Sequence, residues 1–217
     1  MSHPASYLTH CQCTQNEFLA SSQYGSAGFK DPGFWDTRLT PRGVAQAEAL
    51  QRRLMAGDGE VDLVVCSPLS RALHTASLAF AGDRFEHVPR LVYAGIRERM
   101  WLSSDVGSPS SVLASTWSDK GWDFASLEET WWHTDPNWQQ NEWRAPGEYL
   151  AAGEPEDPFR QRLADFKDWL LARPEGRIAV VAHWGTIYGL TGKSLDNCEA
   201  VEMRLNGFKD LQIFVTD

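Results

Sequence analysis

The sequence has no excess of basic residues: 20 Lys and Arg stand against 29 Asp and Glu, a formal net charge of −9. A broad positive field that gathers polyanions is missing, so neither nucleic acid nor an anionic membrane is expected as a partner. Any anion must be captured by a local pocket. No stretch approaches the roughly 20 apolar residues of a membrane span, and no cationic segment plus apolar run opens the chain, so a cytoplasmic protein is expected. Cysteine is scarce. The four, Cys11, Cys13, Cys66 and Cys198, are expected to be free thiols, because 217 residues bury a core without stapling. Cys11 and Cys13 form a C-x-C, but no second close pair completes a four-ligand site, so no metal is expected. Internal repeats and low-complexity tracts are also absent, and one large domain suffices for this length.

What is present alternates between strand and helix patterns. Ser6 to His10 predicts a first strand, followed by a polar, glycine-containing stretch, Cys11 to Asp36, that reads as a long loop. Thr40 is suited to cap a helix with Pro41 in its first turn, and Val44, Ala47, Leu50 and Leu54 repeat at helical spacing. Asp62 to Cys66 and Arg177 to Ala182 are apolar runs of buried parallel strands. After the first, Ser67-Pro68 starts a helix through about Phe80; after the second come His183 and a short helix over 186–191. Phe85 to Leu91 and Leu211 to Val215 are further strand candidates, and Asp157 to Ala172 is an amphipathic helix. The expected fold is α/β: a three-layer sandwich with a mostly parallel central sheet and helices on both faces. Ligands of such sheets bind beyond the carboxyl ends of strands, where His10, Ser67 and His183 all lie.

Four stretches in order now carry a resemblance. Tyr7-Leu8-Thr9-His10-Cys11 stands where a strand ends in Arg-His-Gly. Asp36-Thr37-Arg38-Leu39-Thr40-Pro41-Arg42-Gly43 with Gln46-Ala47 is similar to D-x-x-L-T-x-x-G-x-x-Q-A. Cys66-Ser67-Pro68-Leu69-Ser70-Arg71-Ala72 with Thr75-Ala76 is similar to S-P-L-x-R-A-x-Q-T-A, and Ala182-His183-Trp184-Gly185 to a second histidine motif. Together they resemble the histidine phosphatase superfamily, phosphoglycerate mutase-like branch, over nearly the whole chain. The central stretch, Ile96-Arg97-Glu98-Arg99 followed by Ser104-Asp105-Val106-Gly107-Ser108, is similar to a subgroup of fungi and plants.

The resemblance implies catalytic roles for His10, Arg71, Glu98 and His183. A neutral imidazole at His10 attacks phosphorus to give a phosphohistidine, Arg71 offers a planar fork to the phosphoryl oxygens, and a protonated His183 adds a second donor. Glu98 protonates the leaving alcohol if burial raises its pKa. Thr9, Cys11, Asn16, His74 and Trp184 are the candidate substrate contacts around them. No cofactor is implied, the expected partner is a small-molecule substrate, and a homodimer is allowed.

The match fails at one decisive place. Thr9 and Cys11 replace the arginine and glycine of the first motif, which removes a bidentate cation from the phosphate cradle. Arg42, Arg97, Arg99 and Arg144 are the candidates to fill that gap. Two other readings use the same scaffold: a non-phosphate acid–base enzyme (isomerase, lyase or cyclase) working through His10, His183 and Glu98, and a catalytically inactive binding protein. Seven of the ten tryptophans, Trp101, Trp117, Trp122, Trp131, Trp132, Trp138 and Trp143, fall in a stretch at about 101–145 expected to be a cap. They are expected either to wall the pocket for an aromatic or apolar ligand or to form the cap's own small core.

Overall fold

The two uninterrupted apolar runs form adjacent strands at the centre of the molecule: β2, Leu63–Cys66, and β5, Ile178–Ala182, pair in parallel with Cys66 opposite Val181. The computed structural model describes residues 3–22, 29–57, 60–134, 153–205 and 212–215, and Trp138, Trp143 and Arg144 lie outside them. Strand β1, His3–Thr9, flanks β5 on its other side, also in parallel. Strands β3, Arg90–Val92, and β4, Trp122–Asp123, extend the parallel half beyond β2. On the opposite edge β6, Ala200–Leu205, and β7, Gln212–Val215, add antiparallel. The resulting seven-stranded order is β4-β3-β2-β5-β1-β6-β7.

Alternation along the central strands divides the core in two. Leu8, Val64, Cys66, Ala179 and Val181 face one layer, which holds helices α2, Pro41–Ala56, and α3, Ser70–Ala79. Tyr7, Leu63, Val65, Ile178 and Val180 face the other, with α5, Glu156–Leu171, and α6, Trp184–Thr191. Side chains of successive strand residues point to opposite faces, so both layers need apolar partners and the strands read as continuous apolar runs. Helix α2 starts as its sequence predicts, with Thr40 Oγ1 accepting from the Gly43 amide and Pro41 at the first position.

Three expectations are corrected. The stretch Cys11 to Asp36 is not all loop: α1, Thr14–Ser21, forms there, its first amide bonds supported by Asn16, whose Oδ1 accepts from Cys13 N at 3.0 Å. The strand expected over Phe85 to Leu91 is a 3-10 turn at Asp83–Phe85 followed by β3, which starts at Arg90 because its pairing partners in β2 begin at Val64. The cysteines are not all free. Cys11 and Cys198 form a disulfide that joins the end of β1 to the turn before β6, while Cys13 and Cys66 remain free and buried. The two partners are 187 residues apart in sequence, and only the pairing of β1 with β6 brings them together.

The tryptophans between 101 and 134 do not pack as a separate unit. Trp117, on α4, Ser110–Trp117, belongs with Trp122 and Trp131 to the same cluster as Ala72, Leu73 and Ala76 of α3. Among the described residues no helix is long and apolar enough to cross a membrane.

Candidate active site

Backbone pairing sets the site before any side chain is considered. The His10 amide donates to Ala182 O at 3.1 Å and the Ser67 amide to Val181 O at 2.9 Å, so the three residues that follow β1, β2 and β5 stand side by side at one sheet edge. The His10 and His183 rings lie 5.0 Å apart, inclined by 57°.

His10 is oriented by its own neighbour. Its Nδ1 is 2.8 Å from Cys11 O, which only a protonated Nδ1 can satisfy, so the lone pair is on Nε2. The Cys11 amide is itself tied to Thr75 Oγ1 at 3.0 Å, and that hydroxyl donates to Arg71 O. Burial, and then the neighbouring Arg71, push the His10 pKa down to about 3, which keeps the imidazole neutral.

Arg71 enters from the first turn of α3 and is held on several sides. Its Nε lies 3.3 Å from His10 Nε2, Nη1 donates to Ser104 O at 2.7 Å, and Nη2 pairs with Asp105 Oδ1 at 2.9 Å. The side chains of Arg71 and Asp105 are only 4% and 7% exposed. Asp105 Oδ2 in turn accepts from the amides of Trp101 and Leu102, each at 3.0 Å.

His183 stands at the N-cap position of α6 and places Nε2 2.7 Å from Ser67 Oγ, whereas its buried Nδ1 has no partner among the described residues. Burial, with Arg71 and His10 nearby, drives its pKa well below the ordinary histidine range. This favours the neutral imidazole, so the second positive charge that the resemblance implies depends on what binds between the rings. An anion between the rings would pull its pKa up again.

Glu98 approaches from the turn after β3. Its carboxylate accepts from Gly185 N at 3.0 Å and Arg99 N at 2.7 Å, while burial, then Asp105, raise its pKa to about 7. The peptide that carries it is gripped by Arg162 of α5, which donates to Gly95 O, Arg97 O and Glu98 O and pairs with buried Glu154.

The remaining candidates sit less directly. Thr9 Oγ1 is bonded to the backbone of residues 196 and 199, including the Glu199 amide at 3.2 Å, so its hydroxyl holds a turn. Cys11 is in the disulfide, and Asn16 caps α1. His74 lies one helical turn beyond Arg71 with its ring 5.7 Å from Trp117, in the wall of a groove of about 780 Å³. Trp184 is 54% exposed, stacks on Tyr188 and borders another groove of about 690 Å³ with Trp101 and Phe159. Of the arginines that might have replaced the missing cation, Arg97 is paired with Glu154, Arg99 with Glu156, and Arg42 is exposed on α2.

Asp105 and Thr75 are not among the site members the sequence points to, and Ser67 is, but only by its place at the sheet edge. Asp105 lies in the stretch that marks the subgroup, Ser67 in the phosphatase motif and Thr75 in its Thr-Ala pair; each was visible in a motif, but the partner of each was not. Among the described residues no group of His, Cys, Asp and Glu is arranged to hold a metal ion.

A "Phosphoglycerate mutase-like protein" of Arabidopsis thaliana is 25% identical over 224 residues, covering 92% of this chain and 78% of that protein. The α-ribazole phosphatase of Shigella flexneri superposes with a TM-score of 0.60 at 22% identity, over 98% of this chain and 96% of its own. A mycobacterial glucosyl-3-phosphoglycerate phosphatase gives 0.57 at 19%, over 99% and 98%. These two speak for the fold. Because the family model for the histidine phosphatase superfamily (branch 1) matches residues 32–213, which is most of the chain, the protein belongs to that superfamily.

Proposed function

We propose that the protein hydrolyses a small phosphomonoester through a phosphohistidine on His10. The observation that carries this is the orientation of His10: the Nδ1 contact to Cys11 O leaves an unprotonated Nε2 next to a guanidinium and opposite His183. Nε2 forms a bond to phosphorus as the P–O bond to the leaving alcohol breaks, and the electron pair of that bond stays on the leaving oxygen. Glu98, whose pKa of about 7 keeps a protonated fraction at neutral pH, delivers its proton to that oxygen. Water then attacks the phosphohistidine, its proton returns to Glu98, and inorganic phosphate leaves with His10 restored. Membership of the superfamily and the phosphatase activities named for similar structures support the choice of phosphoryl chemistry.

A second reading, acid–base chemistry on an uncharged substrate, is favoured by one observation: the position of the missing arginine holds a threonine whose hydroxyl is spent on the backbone. The two are separated by measuring phosphate release from a panel of alkyl and aryl phosphomonoesters. Hydrolysis that disappears in His10→Ala supports the phosphatase. No release across the panel, with turnover of a non-phosphate compound that needs His10, supports the second reading.

A further inference from the structure

A phosphate dianion entering this site would meet little net positive charge from the described residues. Arg71 contributes one unit, and Asp105 removes it at 2.9 Å. His10 is neutral, His183 can gain one positive charge once an anion lies beside it, and Thr9 supplies a hydroxyl already engaged elsewhere. Arg97 and Arg99 are committed to Glu154 and Glu156. The pairing is also hard to undo. Asp105 is fixed by the Trp101 and Leu102 amides, and the same turn holds Arg71 through Ser104 O. A guanidinium has five N–H groups. Three have partners here, on His10, Ser104 and Asp105. Among the described residues, two donors are left to orient a phosphoryl group, but the charge behind them is offset by Asp105.

We propose that Asp105 determines the charge of the substrate: paired with Arg71 beside His10, it reserves the site for a phosphomonoester carrying one negative charge, its singly protonated form, and disfavours the dianion. This rests on the phosphoryl-transfer reading above and adds the charge class of the substrate to it. The charged and titratable groups that bear on the pair are Glu98 from the turn after β3, His10 beyond β1, His183 beyond β5, and Asp36 and Cys13 near Arg71. Asp36, and Glu98 once it has lost its proton, reinforce the rejection of a second negative charge. Uncompensated charge in a buried site is costly, so the discrimination is expected to be at least tenfold.

The test is calorimetric titration of the full chain with inorganic phosphate at about pH 5, where the ion is mainly singly charged, and at about pH 8, where it is mainly doubly charged. Wild type is expected to bind at least tenfold more weakly at the higher pH. Asp105→Asn keeps an oxygen for the Trp101 and Leu102 amides and turns an NH2 towards Arg71, freeing the positive charge. That variant is expected to bind phosphate at pH 8 at least tenfold more tightly than wild type. Equal or tighter binding by wild type at pH 8 would overturn the proposal, as would a folded Asp105→Asn that gains nothing. If the variant does not fold, Glu98→Gln titrated at the same two pH values decides: the tenfold weakening at pH 8 should persist without the Glu98 charge, and its disappearance would overturn the proposal. Failure of the phosphatase reading is separate: it appears as absence of a phosphohistidine, whatever the phosphate affinities.

Discussion

Arg71 and Asp105 meet at 2.9 Å with both side chains buried, and the Nε of the same guanidinium lies 3.3 Å from His10. One planar cation therefore connects the nitrogen proposed to attack phosphorus with a carboxylate 34 residues further along the chain. Such a fork fixes the direction of each N–H bond, which a lysine at this position would not.

Glu98 predicts a pH dependence. The acid must be protonated to serve the leaving group, so kcat for alkyl phosphates is expected to fall as pH rises through about 7. Glu98→Gln should remove this limb and reduce kcat by roughly 10²- to 10⁴-fold, with a smaller loss for nitrophenyl phosphate, whose leaving group needs no proton. The stability term has the same sign. A carboxyl whose folded pKa is raised stabilises the fold fully below its unfolded pKa and loses that contribution as pH rises through the folded value. Chemical denaturation of wild type and Glu98→Gln from pH 4 to 9 checks this: the wild type should lose stability relative to the variant across that range.

Gly185 leaves room for that carboxylate. A Cβ added there would lie 2.5 Å from Glu98 Oε1, inside any real contact distance. Gly185→Ala, in a helix that favours alanine, should fold but displace Glu98, and a misplacement of about 1 Å can cost up to about 10²-fold. Alkyl phosphate turnover should fall about ten- to a hundredfold, with nitrophenyl phosphate affected less. Equal losses on both substrates would count against Glu98 as the acid.

Thr9→Arg tests the missing cation. It removes the hydroxyl that holds the 196–199 turn, at a cost of about 1–3 kcal/mol in stability. It also adds the charge beside His10 that phosphoryl transfer uses. Hydrolysis is expected to rise about ten- to a thousandfold in kcat/KM. Damage to native turnover with no gain in phosphatase activity is the outcome of the acid–base reading.

Cys198→Ser opens the bond that ties the His10–Cys11 segment to the turn before β6. Loss of a disulfide closing so long a loop is expected to lower stability by about 2–5 kcal/mol. Urea unfolding of the variant against oxidised wild type measures it, and the same treatment of reduced wild type should give a matching loss.

The parts of the fold visible in the sequence are those whose local signal agrees with their tertiary role. Strands β2 and β5 are apolar throughout because both faces are buried, and α2 announces its start through Thr40 and Pro41. Helix α1 was hidden because its residues are mostly polar and Gln15 is its only buried one. Strand β6 does alternate, with Val201 and Met203 buried and Glu202 exposed, but in so short a run that signal does not separate strand from turn. His10, Arg71, Glu98 and His183 were legible because each sits in a motif, and the structure brings them to one sheet edge. The pairing of Arg71 with Asp105, of His183 with Ser67 and of Cys11 with Cys198 was not, since each joins segments 34, 116 and 187 residues apart.

The central claim is that His10 becomes phosphorylated. Rapid quenching of the wild-type protein with a turning-over phosphomonoester, followed by mass spectrometry under alkaline conditions that preserve phosphoramidates, measures this directly. The account predicts an acid-labile phosphoryl group on the peptide containing His10, absent in His10→Ala and accumulating in Glu98→Gln with nitrophenyl phosphate, where water attack is slowed. Steady hydrolysis with no phosphoryl group on His10, or with one on another residue, would contradict it.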